Sequence, residues 1–291
     1  MSWKKSAAFG LAAAAVLCFV AVTGMPGGEA PAPEIPPEAQ PEAVLPEPVP
    51  VVEPAPAPEP EVEIQLTYDY TLPAPETAPV EKDYFADAAF VGDSRTDGFM
   101  LYSGIGCGEN LTSNGLSIFK LGTKKALKLD GEKVTLLEAL GRKQYGKVYL
   151  CLGVNELGVY DDEGFFQSYL NAIDAIRACQ PGAIIYIQGL IPLNEEDVAA
   201  SNGGEYLKND RLRVYNELMF KAAQEKKVVY LDLYTAFADE NGALPTGASR
   251  DGVHLKKEYC QQWLEYLKTH TVDPDLLELP EIETDKENIP A

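Results

Sequence analysis

The chain has 291 residues, a formal net charge of −21 and 46% hydrophobic residues. That length allows one or two domains, and the lack of any clustered basic stretch excludes nucleic acid as an expected partner. The acidic excess is uneven, because residues 82–270 hold 21 basic and 26 acidic side chains while both ends are richer in acid.

The chain opens with Lys4 and Lys5 followed by an apolar run from Ala7 to Thr23. A basic start before such a run is a secretory signal or a signal-anchor, so residues 1–25 are read as lying outside the fold. Membrane contact is expected only through this segment, if it is not cleaved. Residues 26–81 form a Pro/Glu/Ala/Val tract without lysine or arginine. Its few large apolar side chains cannot offset the entropy of ordering, so an extended, disordered linker is expected. Fully extended at ~3.1 Å per residue it would span on the order of 170 Å. Together these segments predict an exported protein, secreted or held at the cell surface.

Strand-like and helix-like segments then alternate, the pattern of a parallel sheet covered on both faces. Ala88–Val91, Lys147–Leu152, Ala183–Ile187 and Val228–Leu231 read as strands, with a further short strand near Leu116–Leu121. Between them run Phe166, Tyr169, Leu170, Ile173 and Ile176, and then Leu212, Tyr215, Leu218, Met219 and Ala222. Tyr259, Trp263, Tyr266 and Leu267 follow near the end. All three sets have helical spacing and are read as core faces. The fold class is α/β, a three-layer α/β/α sandwich over residues 82–270. Residues 271–291 carry seven acids and one lysine and are expected to be a disordered tail. Cysteines 18, 107, 151, 179 and 260 have no zinc or redox spacing. Cys151 is expected to be buried, and a disulfide among 107, 179 and 260 stays open.

The chemistry concentrates at three places. Gly92-Asp93-Ser94 closes the first strand, Gly153-Val154-Asn155-Glu156 follows a central one, and Asp251-Gly252-Val253-His254 precedes the last helical stripe. A serine at a strand-to-helix turn stands clear of the sheet, but its hydroxyl is a weak nucleophile without a base. Of the two histidines, His270 sits at a helix end beside the acidic tail, whereas His254 follows Asp251 by three residues. That spacing lets an aspartate orient an imidazole toward a serine. Asp93 is read as a turn and helix-start residue. Asp161-Asp162-Glu163 and Glu195-Glu196-Asp197 are read as helix caps, since acidic side chains favour helix N-termini. They lack the spacing of a calcium loop, and neither a metal nor an organic cofactor is expected.

These motifs resemble the SGNH (GDSL-like) hydrolase family over roughly residues 84–270. The resemblance implies Ser94 as nucleophile, His254 as general base and Asp251 as its orienting acid. It also implies an oxyanion hole built from Ser94, Gly115 and Asn155. Glu156 departs from the family, which usually has aspartate there. A flavodoxin-like sheet and serine ester hydrolysis through an acyl-enzyme follow as expectations, with a small-molecule or polysaccharide ester as substrate. An O-acyltransferase and a non-catalytic wall-tethered binding module are the alternatives.

Overall fold

Three strands of adjacent β-structure carry an aromatic ladder at their shared level. Strand β1 (Ala88–Gly92) pairs in parallel with β5 (Lys147–Cys151), and β5 pairs in parallel with β6 (Ile184–Gln188). In that register Phe90, Tyr149 and Tyr186 are neighbours, their rings stacked with centroids 4.9 and 4.6 Å apart. All three strands are buried on both faces, which is why they read as continuous apolar runs. Strand β2 (Glu109–Thr112) joins β1 on one side and β7 (Val229–Leu231) joins β6 on the other, completing a five-stranded parallel sheet in the order β2-β1-β5-β6-β7. A small antiparallel hairpin, β3 (Leu127–Leu129) and β4 (Glu132–Val134), turns at Asp130-Gly131, both with positive φ. This computed structural model describes residues 67–279. The signal or anchor segment 1–25, the linker up to residue 66 and the tail from residue 280 lie outside the described residues.

Helices cover both faces. Helix α1 (Ser94–Tyr102) packs beside α7 (Lys257–Thr269), where Phe99 meets Trp263 at 4.8 Å between ring centroids. The short α2 (Leu136–Leu140) and the longer α3 (Asp162–Cys179) and α5 (Asn209–Glu225) pack against one another, with Phe165 stacked on Tyr215. The expected stripes supply these contacts: Tyr169, Ile173, Ile176, Leu212, Tyr215 and Met219 are fully enclosed. Two short helices, α4 (Glu195–Ala200) and α6 (Leu233–Phe237), follow β6 and β7. The acidic runs stand at helix starts. Asp161 accepts from Gly164 N, and Glu195–Asp197 form the first turn of α4 behind the Asn194 cap.

Three expectations are corrected. Residues 116–121 are not a strand: Leu116, Ile118 and Leu121 are buried by a loop and a single 3-10 turn, Ile118–Lys120. The strand beside β1 is Glu109–Thr112, an edge strand that buries only Leu111 and so lacks an apolar signature. The folded unit also runs past residues 82–270. Ala74 N donates to Tyr230 O (2.8 Å), Val80 N to Lys268 O (2.9 Å) and Tyr68 N to Leu276 O (2.8 Å). Ala74 and Val272 are buried, and Val272 N donates to the Tyr186 hydroxyl. A strap from Tyr68 to Val80 and the start of the tail therefore pack on the domain, because a few well-spaced apolar residues and backbone bonds are enough to dock an otherwise polar chain. Cys107, Cys151, Cys179 and Cys260 are all free thiols, with Cys151 buried as expected.

Candidate active site

The chain passes from β1 outward to β2 and then returns across β1 to β5, so the connections diverge between β1 and β5. In an open parallel sheet a crevice forms at the carboxyl ends of the strands at such a point. Ser94 begins α1 on one side of it and Asn155 follows β5 on the other. Gly92 lets the helix start this close to the sheet, since a Cβ there would meet Thr96 Oγ1 at 2.1 Å and Cys151 O at 2.9 Å. Asp93 caps α1 by accepting from Arg95 N at 2.9 Å, as a helix-start aspartate should.

His254 bridges the crevice. Its Nε2 lies 2.9 Å from Ser94 Oγ and its Nδ1 lies 2.7 Å from Asp251 Oδ2. With Nδ1–H donating to the carboxylate, Nε2 is left to accept the serine proton. Asp251 is itself fixed, because its Oδ1 accepts from Val253 N (3.0 Å) and His254 N (2.8 Å). Partial burial raises the Asp251 pKa, but the bonds from His254 and Val253 outweigh it and hold the carboxyl below its ordinary value. Asp251 is thus an anion at neutral pH. The His254 and Asp251 side chains are 45% and 39% exposed, so water reaches the pair directly.

Asn155 stands at the same sheet end, yet both hydrogens of its amide are already used. Nδ2 donates to Asp93 Oδ2 and to Leu116 O, each at 3.0 Å. It can meet an oxyanion only as a shared donor or by releasing Leu116. Gly115 occupies the turn closed by Leu116 N on Ser113 O (3.0 Å), exposed and with open space above its Cα. The structure thus brings Ser94, His254 and Asp251 into one hydrogen-bonded chain. Asn155 joins them through Asp93, and Gly115 has no direct contact with the chain.

Three buried groups here were not legible as site residues. Asp93 is enclosed, and burial pushes its pKa up to about 6 against the opposing Arg95 N bond and the Arg95 charge. Glu156 accepts from Ile118 N with one oxygen while the other is buried without a partner; burial raises its pKa to about 7. It pins the 113–120 loop under Asn155, a role the departure from aspartate serves with one more methylene. Arg95 is 4% exposed and donates to Ile191 O at 2.9 Å, leaving Nε and Nη2 unpaired. Only the helical spacing of the buried set Arg95, Thr96 and Phe99 hinted at that orientation.

Two open grooves meet at Ser94 and His254. One, about 220 Å³, lies along α1 and is lined by Leu101, Tyr102 and Arg250. The other, about 230 Å³, lies over Val154, Asn155, Tyr206 and Leu207. A larger cavity of about 420 Å³ beside α4 and α5 contains none of the residues of the hydrogen-bonded chain.

Residues 90–259 match the model of the GDSL-like lipase/acylhydrolase family. Among solved structures the chain is similar to a Streptococcus pneumonia protein provisionally assigned as a platelet activating factor, at 22% identity over 62% of this chain and 82% of that one, with a TM-score of 0.51. It is also similar to a GDSL-like lipase from Bacteroides thetaiotaomicron, at 14% identity over 64% and 88% of the two chains, TM-score 0.45. A peptidoglycan O-acetylesterase aligns at 18% identity over 56% of this chain and 45% of that one, TM-score 0.43. No curated protein matches the sequence at a significant level. The family match spans more than half the chain and includes Ser94, Asp251 and His254, and the chain belongs to the GDSL-like lipase/acylhydrolase family.

Proposed function

We propose that the protein is an exported serine esterase that hydrolyses a short acyl ester, such as an acetyl ester on a carbohydrate, through an acyl-Ser94 intermediate. The observation that carries this reading is the Ser94–His254–Asp251 chain, with separations of 2.9 and 2.7 Å. Ser94 Oγ attacks the ester carbonyl carbon as its proton passes to His254 Nε2, and Asp251 stabilises the imidazolium. The carbonyl oxygen becomes an oxyanion, which the Ser94 and Gly115 amides and the Asn155 side chain receive as Asn155 gives up Leu116 O. Collapse breaks the bond to the alcohol oxygen, which leaves with the proton from His254. Water then loses a proton to His254 and attacks the acyl carbon, releasing the carboxylic acid and restoring Ser94.

Hydrolysis is favoured over transfer to a second alcohol by the exposure of His254, which leaves water free to reach the acyl-enzyme. The basic-apolar start and the proline-rich tract support a role at the cell surface. The test is turnover of 4-nitrophenyl acetate by the parent and by Ser94→Ala. The variant should lose ester turnover by ~10³-fold or more with an unchanged melting temperature. Equal turnover in the two would reject the reading.

A further inference from the structure

The two grooves that meet at Ser94 differ in charge. The groove along α1 is lined by Arg95, Arg250 and Asp97, whereas the groove over Tyr206 has Asp251 as its only charged lining residue besides the triad histidine. In the first, Asp97 is occupied within the fold, accepting from Asn110 Nδ2 at 2.9 Å and from the Thr112 hydroxyl at 3.3 Å. Its two cations make no ion pair among the described residues, although Arg95 Nη1 donates to Ile191 O at 2.9 Å. Arg250 is exposed, makes no ion pair among the described residues and lies 6.0 Å from the Tyr102 ring centroid. Arg95 at the floor is buried with Nε and Nη2 unpaired. A positive groove is unexpected in a chain with 45 acids to 24 basic residues. A cation left without a partner at a groove mouth attracts an anion, and low-dielectric walls strengthen that attraction.

The Tyr206 groove differs in charge and not in overall polarity: Val154, Leu207, Val253 and Tyr206 line it together with Asn155, Ser201 and Asp251, and it holds no arginine or lysine. The Tyr206 ring is wedged against Gly158 and Gly204, where added Cβ atoms would lie 3.0 and 2.2 Å from it. A ring fixed in this way gives apolar contact at little entropic cost. A neutral group suits this side, where Asp251 would repel an anion, and an anion suits the other.

From this asymmetry we infer that the alcohol half of the substrate carries negative charge and lies along α1 beside Arg250 and Tyr102, while the neutral acyl group enters the Tyr206 groove. This rests on the esterase reading above and adds to it the charge and direction of the substrate. It makes Arg250 a specificity residue that acts on the bound group rather than on the reacting atoms. The alcohol it favours is an acidic one, a hydroxyl-bearing carboxylate or phosphate such as an acidic sugar unit.

The test compares kcat/KM for 4-acetoxybenzoate, whose alcohol half is anionic, with that for its neutral methyl ester. The ratio of the two is measured in the parent, Arg250→Ala and Arg250→Glu, so that intrinsic ester reactivity cancels. The ratio should fall about 3- to 5-fold in Arg250→Ala, the upper range for one rim charge contact, and further in Arg250→Glu. The difference should shrink when salt is raised from about 0.05 M to about 0.5 M. A second pair, 4-nitrophenyl hydrogen adipate and 4-nitrophenyl heptanoate, places the charge on the acyl half, where Arg250→Ala should leave the ratio within about 2-fold. Turnover of both acetoxybenzoates with the same ratio in all three proteins would overturn the inference alone. A fall confined to the adipate pair would overturn the assigned direction. Turnover of none of the four esters would overturn the esterase reading and this inference with it.

Discussion

Gly252 lies between Asp251 and His254, and replacing it with alanine is the sharpest perturbation of the site that touches no reacting group. Its φ is +83°, a left-handed conformation that costs a non-glycine residue ~1–2 kcal/mol. A Cβ there would stand 2.3 Å from Asn194 O, 2.4 Å from Val198 Cγ2 and 2.5 Å from Val198 N. Two of these atoms are backbone at the start of α4, so no side-chain rotation relieves the clash, and overpacking adds ~1–3 kcal/mol. Asn194 N also donates to Gly252 O at 3.0 Å, so the loop cannot lift without losing that bond. The total of ~2–5 kcal/mol can appear as lost stability or as displacement of the loop. A shift of ~1 Å at His254 would cost about 10²-fold in kcat, because proton transfer depends on the 2.9 Å contact with Ser94. Gly131→Ala is the control. Gly131 has φ +89° with nothing within 4 Å, so it carries the conformational cost without the clash. Thermal melts and 4-nitrophenyl acetate kinetics on both variants separate the terms. Gly131→Ala should lower the melting temperature by roughly 2–8 °C with normal kcat, and Gly252→Ala by roughly 5–15 °C with kcat down at least 10-fold. A Gly252→Ala protein that matches Gly131→Ala in both measurements would refute the steric argument.

His254→Ala should lose nearly all ester turnover. His270→Ala should stay within a few-fold of the parent, since His270 stacks on Tyr266 at 3.7 Å and bonds its carbonyl at the end of α7; steady-state kinetics on the two variants decides it. Burial raises the Glu156 pKa from 4.5 to about 7, so the folded protein holds the proton more tightly than the unfolded chain does. Stability should therefore fall as pH rises between these values, by about 3 kcal/mol in all, and be fully lowered above pH 7. Glu156→Gln keeps an acceptor for Ile118 N and should reduce that slope in denaturant titrations at pH 5 and 8, leaving the part due to the raised Asp93 pKa; an unchanged slope would contradict the assignment. A protein cut to residues 82–270 loses the backbone bonds of Ala74, Thr77 and Val80 and the Val272 contact on Tyr186. It should be less stable than residues 67–279 by ~2–4 kcal/mol, the bonds minus the entropy of ordering the strap. Coincident urea transitions of the two would mean that the strap contributes nothing.

The central strands and the long helices were legible because burial on both faces, or on one stripe, leaves a periodic apolar record. Lys147–Cys151 and Ile184–Gln188 came out within a residue of their sequence-based limits. Edge strand Glu109–Thr112 has one solvated face and polar residues on it, so the buried run at 116–121 drew the assignment instead. The strap at 67–81 was hidden by its composition: proline and glutamate predict disorder, whereas docking depends on Ala74 and a few backbone groups finding partners far along the chain. Ser94, Asp251 and His254 could be named because short-range spacing and a scarcity of histidine narrow the choice. Asp93 holding Asn155, Glu156 holding Ile118 and the buried Arg95 could not, since each depends on which distant loop comes to rest against it.

The central claim is that Ser94 becomes acylated during turnover. Mixing the parent with excess 4-nitrophenyl acetate, quenching in acid within the first turnovers and weighing the protein tests this most directly. Peptide mapping should find one added acetyl group on the peptide containing Ser94, absent from Ser94→Ala, and accumulating in His254→Ala only if acylation survives without the base. Ester turnover by the parent with no acetyl group on Ser94, or with the label on another residue, would contradict the account.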